Sequence, residues 1–175
     1  EGIVSPLTEL TGLTTEEISD GISFDEAQTQ LKAYLHPDLT LVGQRITGDI
    51  EWMGLVEGVH YKNIIDLADE TKVWNRKYDN FMFFSLRKAV YGLWGVDIQA
   101  GSHDPAVDAE CSLRLYKEFV EDESKLELAK QKLEAMTYMR MFPAKMMGGV
   151  SHCIDGVCMF GFNPAKCTCG QPTLR

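Results

Sequence analysis

Apolar positions along the chain follow helix spacing in some stretches and form short continuous runs in others. Ser23 and Glu26 are spaced as a helix-capping pair, and apolar residues three and four positions apart follow them through about Leu35. The run Leu39 to Val42, closed by a glycine, is typical of a short buried strand. These patterns predict helices over about 14–21, 23–35, 47–55, 86–93, 105–120 and 123–141, and strands over about 39–42 and 61–67.

The segments that follow neither pattern are predicted to be loops, over residues 1–13, 69–83 and 96–103. The C-terminal segment is different again, because Asp155-Gly156 between two cysteines is a hairpin signal. Strands that alternate with helices indicate an α/β fold in which a sheet is flanked by helices.

Composition and charge narrow the class of protein. The chain has 175 residues, of which 45% are hydrophobic and 25% charged, as expected of one globular domain. Its apolar runs are too short to span a bilayer, so no membrane partner is expected. The net charge of −9 excludes a protein that coats nucleic acid with a broadly basic surface. It does not exclude a local nucleic-acid-binding site. The acidity belongs mainly to residues 1–50, which hold nine acids and two bases.

The ends of the chain and its cysteines favour an intracellular protein. The chain begins with Glu1 and has no basic segment leading into an apolar one, as a signal peptide would. The five cysteines are odd in number and four crowd at the C-terminus, which is not typical of a secreted disulfide framework. Nucleus, cytoplasm and organelle all remain open.

Residues 101–109 carry the most informative chemistry. His103 precedes a predicted helix, Asp104 is a capping acid before Pro105, and Asp108 falls in the first helical turn. The spacing lets His103 and Asp108 face one cleft, which suits a general base beside a metal-binding acid. The alternative is structural, with Asp104 as a cap, Asp108 as a favourable charge for the helix dipole and His103 as a loop residue.

Three further segments lie on the N-terminal side of residues 101–109. They are Leu41 to Asp49 (a strand, a glycine exit and a helix-start acid), Ile64-Ile65-Asp66 on a strand, and Ser85-Leu86-Arg87 at a helix start. The ordered set resembles the DEDDh exonucleases, in the branch of RNA exonuclease 4, the interferon-stimulated exonuclease and the Pan poly(A) nuclease catalytic subunit. Leu113 to Tyr116 fills the place of the family's Leu-Tyr helix, and Leu10 to Thr14 resembles its "sGiT" turn.

The resemblance covers about residues 5–120 and implies an RNase H-like exonuclease fold. By this resemblance Asp49 is the second-motif acid, His103 the general base and Asp108 the last acid, a metal ligand. Asp66 matches a strand acid that is usually structural, and Arg87 lies in a helix where it packs or pairs. The implied activity is hydrolysis of phosphodiester bonds from the 3′ end of single-stranded RNA (or DNA). The implied cofactors are Mg²⁺ or Mn²⁺ in a two-metal site held in part by Asp49 and Asp108.

The chain departs from the family pattern in two places. The family's first motif is an Asp-x-Glu on a first strand, and nothing before Leu10 matches it. The triplet Asp49-Ile50-Glu51 could on its own be taken for a first motif. It follows a Val-Gly strand exit and precedes His103 by only 54 residues, which favours the second motif. Gln44 stands where the family has histidine. Two carboxylates are too few for two metal ions about 4 Å apart.

Two hypotheses follow from this shortage of acids. Either the first motif, with the first strands of the sheet, lies in a segment absent from this chain, or the chain is an inactive relative. The second hypothesis makes it a structural or binding subunit of a larger, ribonucleoprotein-like complex. We expect a partial exonuclease-like domain over 1–122, a charged helix and linker over 123–149, and a cysteine-rich tail over 150–175. The helix and tail are candidate contact surfaces for protein partners.

The tail also offers ligands for a structural zinc. Cys153, Cys158, Cys167 and Cys169 are spaced as Cys-x4-Cys and Cys-x-Cys, a weaker pattern than paired Cys-x2-Cys. The alternative is a set of reduced thiols.

One polar stretch is unusually aromatic. Five aromatic residues lie close to three cations there: Trp74, Tyr78, Phe81, Phe83 and Phe84 beside Lys72, Arg76 and Lys77. Such rings could stack on bases while the cations meet phosphates. The favoured interpretation is that a loop tucks these rings into the core.

Overall fold

The computed structural model describes residues 6–136, apart from the side chain of Glu9, together with the backbone of two short C-terminal strands. Its internal contacts divide the chain into two units. The first comprises Glu1–Gly21, Gln99–Asp104 and Arg140–Arg175, and the second comprises Ile22–Ile98 and Pro105–Met139.

Eight helices and six strands lie in the part of the chain that the structure describes. In chain order they are α1 (Thr8–Thr11), α2 (Thr15–Ser19), α3 (Phe24–Tyr34), β1 (Thr40–Gly43), α4 (Thr47–Trp52), β2 (Asn63–Asp66), α5 (Leu67–Glu70), β3 (Val73–Asn75), β4 (Asn80–Met82), α6 (Leu86–Trp94), α7 (Pro105–Leu115), α8 (Glu123–Met136), β5 (Cys153–Ile154) and β6 (Val157–Cys158). A π-helical turn over Tyr116–Val120 continues α7.

The strands form three small pairs. β1 and β2 are parallel, with Thr40 opposite Asn63 and Gly43 opposite Asp66, and α4 lies in the connection between them. β3 and β4 form an antiparallel hairpin. β5 and β6 form a second hairpin in which Cys153 pairs with Cys158, as the Asp155-Gly156 signal predicts.

The core lies in the second unit, between β3 and the helices α6, α7 and α8. Its buried side chains are Leu67, Val73, Phe84, Ala89, Leu115, Phe119, Ala129 and Leu133. α8 packs against α6 and β3, and its Ala129 and Leu133 are fully buried. The charged helix therefore supplies part of the core of this unit.

The predicted helix starts are confirmed where a cap was readable in the sequence. Thr14 and Glu17 form a reciprocal capping box at α2, and the hydroxyl of Ser23 accepts the backbone N–H of Glu26 at α3. Ser85 caps α6 in the same way, and Gly95 ends that helix with a left-handed φ of 73°.

Two of the predicted loops contain regular structure. Residues 1–13 include α1, and residues 69–83 include the end of α5 and the whole β3–β4 hairpin. The interpretation that the aromatic stretch packs into the core is wrong for most of its rings. Phe84 is buried at 4% exposure, but Trp74, Tyr78, Phe81 and Phe83 are 44–64% exposed.

The architecture is the mixed α/β one that the pattern predicts. No helix in the described ranges combines the length and apolar character that crossing a membrane requires.

Candidate active site

A tight turn carries the chain from the end of β1 into α4. A Cβ at Gly43 would lie 2.9 Å from Cδ1 of Ile46, so a larger residue there would displace the turn. Asp49 lies in the first turn of α4, where the helix dipole favours a carboxylate. Its side chain is exposed and has no hydrogen-bond or ion-pair partner among the described residues. The fold thus presents this acid to solvent just beyond the carboxyl end of β1.

A second acid, Asp66, holds the same turn in place. Its Oδ1 accepts the backbone N–H of Arg45 at 2.9 Å and that of Ala68, also at 2.9 Å. The first bond fixes a residue with a positive φ of 57°, and the second caps α5. Asp66 is therefore a structural acid that joins the ends of the paired strands β1 and β2.

Gln44, which replaces the family's histidine, has a structural contact of its own. Its Nε2 donates to the carbonyl oxygen of Phe84 at 2.6 Å. Its Oε1 is buried and has no partner within the described part of the chain. The amide thus ties the exit of β1 to the residue before the N-cap of α6, and unlike an imidazole it cannot titrate.

Asp108 lies in the first turn of α7 and is half-buried. Its backbone carbonyl accepts the hydroxyl of Ser112 at 2.8 Å. α7 begins at Pro105, as the sequence predicts, and packs against β1. The second unit therefore brings the element that carries Asp108 next to the strand that leads to Asp49.

His103 belongs to the first unit. Its backbone N–H donates to the carbonyl oxygen of Leu10 at 2.7 Å, and its side chain is half-buried. The preceding Ser102 abuts Gly12, whose φ of 75° ends α1. A Cβ at Gly12 would lie 3.0 Å from Oγ of Ser102. The segment that resembles the family's "sGiT" turn therefore supports the backbone of the candidate base.

Arg87 pairs, as expected, and its partner was not evident from the sequence. Its Nε and one terminal nitrogen each lie 2.7 Å from an oxygen of Asp97, in a two-point ion pair. The hydrogen bonds to Asp97 raise the pKa of the Arg87 guanidinium. The pair fastens the first turn of α6 to the segment that follows the helix.

The chain resembles RNA exonucleases in both sequence and fold. It is 32% identical over 116 residues to RNA exonuclease 4 of Candida glabrata. The match covers 66% of this chain and 42% of that protein, so the chain spans less than half of the relative's length. No protein-family model matches the chain.

Two solved structures share the fold. The catalytic unit of Neurospora crassa Pan2 (protease and nuclease domain) matches with a TM-score of 0.60 and 23% identity, over 78% of this chain and 22% of that one. The Saccharomyces cerevisiae Pan2 pseudoubiquitin hydrolase–RNA exonuclease module, in complex with AAUUAA RNA, matches with a TM-score of 0.54 and 22% identity, over 70% and 19%.

The chain is similar to exonucleases of the DEDDh type.

The two structural matches confirm the fold class expected from the ordered motifs. Residues 6–136 form a mixed α/β structure of the RNase H-like exonuclease type. The residues assigned through the motifs occupy the positions that the motifs predict: Asp49 at the start of α4, Asp66 at the end of β2 and Asp108 at the start of α7.

The described residues do not by themselves make a complete metal site. Oxygen ligands such as the Asp49 and Asp108 carboxylates suit Mg²⁺ or Mn²⁺. Among the described residues, however, no three His, Cys, Asp or Glu side chains converge as a metal site would require. This agrees with the absence of a first-motif Asp-x-Glu before Leu10.

The side chains of the four candidate zinc ligands lie outside the part of the chain that the structure describes. The backbones of Cys153 and Cys158 are paired across a hairpin, but their side chains and residues 159–175, with Cys167 and Cys169, are not described.

Proposed function

We propose that this chain is part of a 3′–5′ exoribonuclease, a hydrolase that removes nucleoside monophosphates from the 3′ end of single-stranded RNA. The observation that supports this most directly is the 32% identity over 116 residues to an RNA exonuclease. The solved relative with bound RNA supports the same class of substrate. RNA is therefore preferred to DNA in the proposal.

His103 is the proposed general base. A water molecule attacks the phosphorus of the terminal phosphodiester, and His103 accepts its proton. The P–O3′ bond breaks and the departing O3′ takes up a proton from solvent, which leaves a shortened RNA with a 3′-hydroxyl and a nucleoside 5′-monophosphate. The imidazole has no hydrogen-bond partner among the described residues, so its ring is available for this role. The hydrogen bond to the carbonyl oxygen of Leu10 is donated by the backbone N–H of His103 and does not involve the imidazole.

Asp49 and Asp108 are the proposed acids of the site. The family uses divalent metal ions, and these two carboxylates would supply oxygen ligands to Mg²⁺ or Mn²⁺. The first-motif acids would come from a segment that precedes the present residues in the native polypeptide.

The test is exonuclease activity of the complete polypeptide on 3′-end-labelled RNA and on DNA of the same sequence. We expect labelled mononucleotide in Mg²⁺ or Mn²⁺, none in EDTA, and faster release from RNA. His103→Ala and Asp108→Asn should each lower the rate about 100-fold or more. Matched controls are His36→Ala and Asp38→Asn, which alter exposed residues outside the site. Full activity in both site variants would contradict the proposal.

The second candidate function is a binding or assembly module without hydrolytic activity. The use of Gln44 as a structural tie in place of a histidine favours it, because that position no longer carries an ionisable group. A native N-terminus without an Asp-x-Glu strand, together with intact RNA in every cation, would support this candidate. α8 and the cysteine-rich tail are then the proposed contact surfaces for protein partners. An intracellular location belongs to both proposals.

A further inference from the structure

The β3–β4 hairpin has an outward face built from rings and one cation. Trp74 and Phe81 are directly opposite each other in the register, and their rings meet edge to face at 5.0 Å and 78°. Phe83 follows Phe81 on the same face, and Lys72 precedes Trp74. These four residues are called the aromatic face. Its three rings are 44–51% exposed, which is unusual for large apolar side chains that lie together.

The opposite face of the hairpin packs against the core. Val73 is 6% exposed, and Met82, which is paired with it, packs against the core cluster. Asn75, also on this side, is buried and its Oδ1 accepts the backbone N–H of Lys77. The rings of the aromatic face are therefore not a displaced part of the core, and their exposure needs another explanation.

A lysine lies close to two of the rings of the aromatic face. Lys72 Nζ lies 5.2 Å from the ring centre of Phe81 and 5.8 Å from that of Phe83. Arg76 and Lys77 follow Trp74 in the sequence, and Asp69, Glu70 and Asp79 flank the segment, so bases and acids are equal in number over residues 69–79. Lys72 also pairs with Asp69 at 2.9 Å, but Asp69 is 60% exposed and such surface pairs are weak. A phosphate can therefore compete for this lysine.

We propose that the aromatic face binds single-stranded RNA, with bases stacked on Trp74, Phe81 and Phe83 and a phosphate at Lys72. Exposed rings with a lysine ammonium close to them can contact a base and its phosphate together, whereas a purely apolar partner would leave the ammonium without a counter-charge. None of the proposed catalytic residues lies on the hairpin, so this is a second binding surface. The choice of RNA over other polymers rests on the proposed function.

The test is RNA binding in EDTA, where no hydrolysis occurs. The full-length protein is titrated into fluorescein-labelled oligouridine and oligoadenylate, and fluorescence anisotropy gives Kd. Trp74→Ala should weaken binding about tenfold, and Trp74→Ala/Phe81→Ala more than tenfold. Phe81→Tyr keeps a ring and should bind within about twofold of wild type. The matched control is Tyr34→Ala, an 81% exposed ring on α3 that should leave Kd unchanged.

A second pair of variants tests the cation. Lys72→Ala should weaken binding several-fold and reduce its salt dependence, whereas Lys62→Ala, an exposed lysine on another segment, should do neither. Circular dichroism and thermal unfolding of each variant should match wild type, because all the altered rings are exposed.

Three outcomes would overturn the inference. They are wild-type binding by Trp74→Ala/Phe81→Ala, no RNA binding by the wild-type protein, and a change of oligomeric state rather than of Kd in sedimentation of the double variant. The last would make the face a protein interface. Because binding is measured in EDTA, an inactive protein that binds RNA through this face refutes only the proposed function. An active one whose face variants bind normally refutes only this inference.

Discussion

Two aspartates near the ends of neighbouring strands have opposite surroundings. Asp66 gives one oxygen to two backbone N–H groups, while the exposed carboxylate of Asp49 has no partner among the described residues. A carboxylate whose acceptor sites are filled contributes to folding. One that is left unused near a strand end is available for a ligand. Of these two aspartates, Asp49 is therefore the one whose carboxylate could bind a ligand.

Removing the Asp66 carboxylate should destabilise the fold. Asp66→Ala leaves the N–H groups of Arg45 and Ala68 without their acceptor, at a cost of about 2 kcal/mol in the free energy of unfolding. Asp66→Asn keeps a carbonyl acceptor and should lose less than about 1 kcal/mol. Urea unfolding measures both, with Asp38→Ala as the exposed control. Equal stability of Asp66→Ala and wild type would show that the turn does not depend on this side chain.

The thiol of Cys111 should react slowly in the folded protein. Burial, then the charges of Glu110 and Asp108, raises the pKa of Cys111 above that of an ordinary thiol. Less thiolate is present near pH 8, so alkylation of native Cys111 should be about fivefold or more slower than in urea-unfolded protein. Because folding favours the neutral thiol, its contribution to stability is full below the ordinary thiol pKa. That contribution falls as pH rises through the raised value.

A pulse of iodoacetamide at several pH values, read by peptide mass spectrometry, separates Cys111 from the other cysteines. The rate should still be rising at a pH where the unfolded chain has reached its plateau. Identical rates in native and unfolded protein would contradict the expected shift.

At the scale of elements, α6 and α8 approach closely at a glycine. A Cβ at Gly92 would lie 2.6 Å from Sδ of Met136 and 2.9 Å from Cδ2 of Leu133. Leu133 is fully buried and has no room to retreat. The helix–helix contact in the core therefore depends on the missing side chain at this position.

Gly92→Ala should destabilise the protein despite the better helix propensity of alanine. Crowding against Leu133 costs about 1–3 kcal/mol, and the propensity gain offsets about 1 kcal/mol of it. Gly48→Ala in α4 is the matched control, because no atom lies within 4 Å of its new Cβ, and it should be neutral or stabilising. Thermal and urea unfolding measure the two. If Gly92→Ala were as stable as Gly48→Ala, the helices would not be in contact as described.

Local signals predicted the elements whose ends are set by one or two residues. The capping serines Ser23 and Ser85 could be read directly, because a cap depends on neighbouring residues alone. The apolar run before Gly43 predicted the strand β1 but not its burial, because the strand is half-buried and its first residue, Thr40, is exposed. The β3–β4 hairpin could not, because its pattern is inverted. Trp74 faces solvent while the adjacent Asn75 is buried. Which side of a short strand meets the core is decided by tertiary packing.

In the candidate site, too, the sequence predicted the local features but not the tertiary contacts. The motifs located Asp49 and Asp108 at helix starts, and the structure adds that α7 packs on β1. Sequence reasoning missed Asp97, the partner of Arg87, because an ion pair between a helix and the segment after it leaves no local pattern. It also missed the acceptor that Phe84 offers to Gln44, forty residues away.

At the scale of the whole molecule, the charged helix α8 contributes buried side chains to the core. Two leucines on it provide a matched test: Leu133 is fully buried, and Leu128 is 51% exposed. Leu133→Ala leaves a cavity beside α6 and should lower the free energy of unfolding by about 2–5 kcal/mol, whereas Leu128→Ala should change it by less than about 0.5 kcal/mol. For a protein whose total stability is about 5–15 kcal/mol, the first loss is a large fraction. Equal effects of the two substitutions, measured by urea unfolding, would mean that α8 is docked differently or not at all.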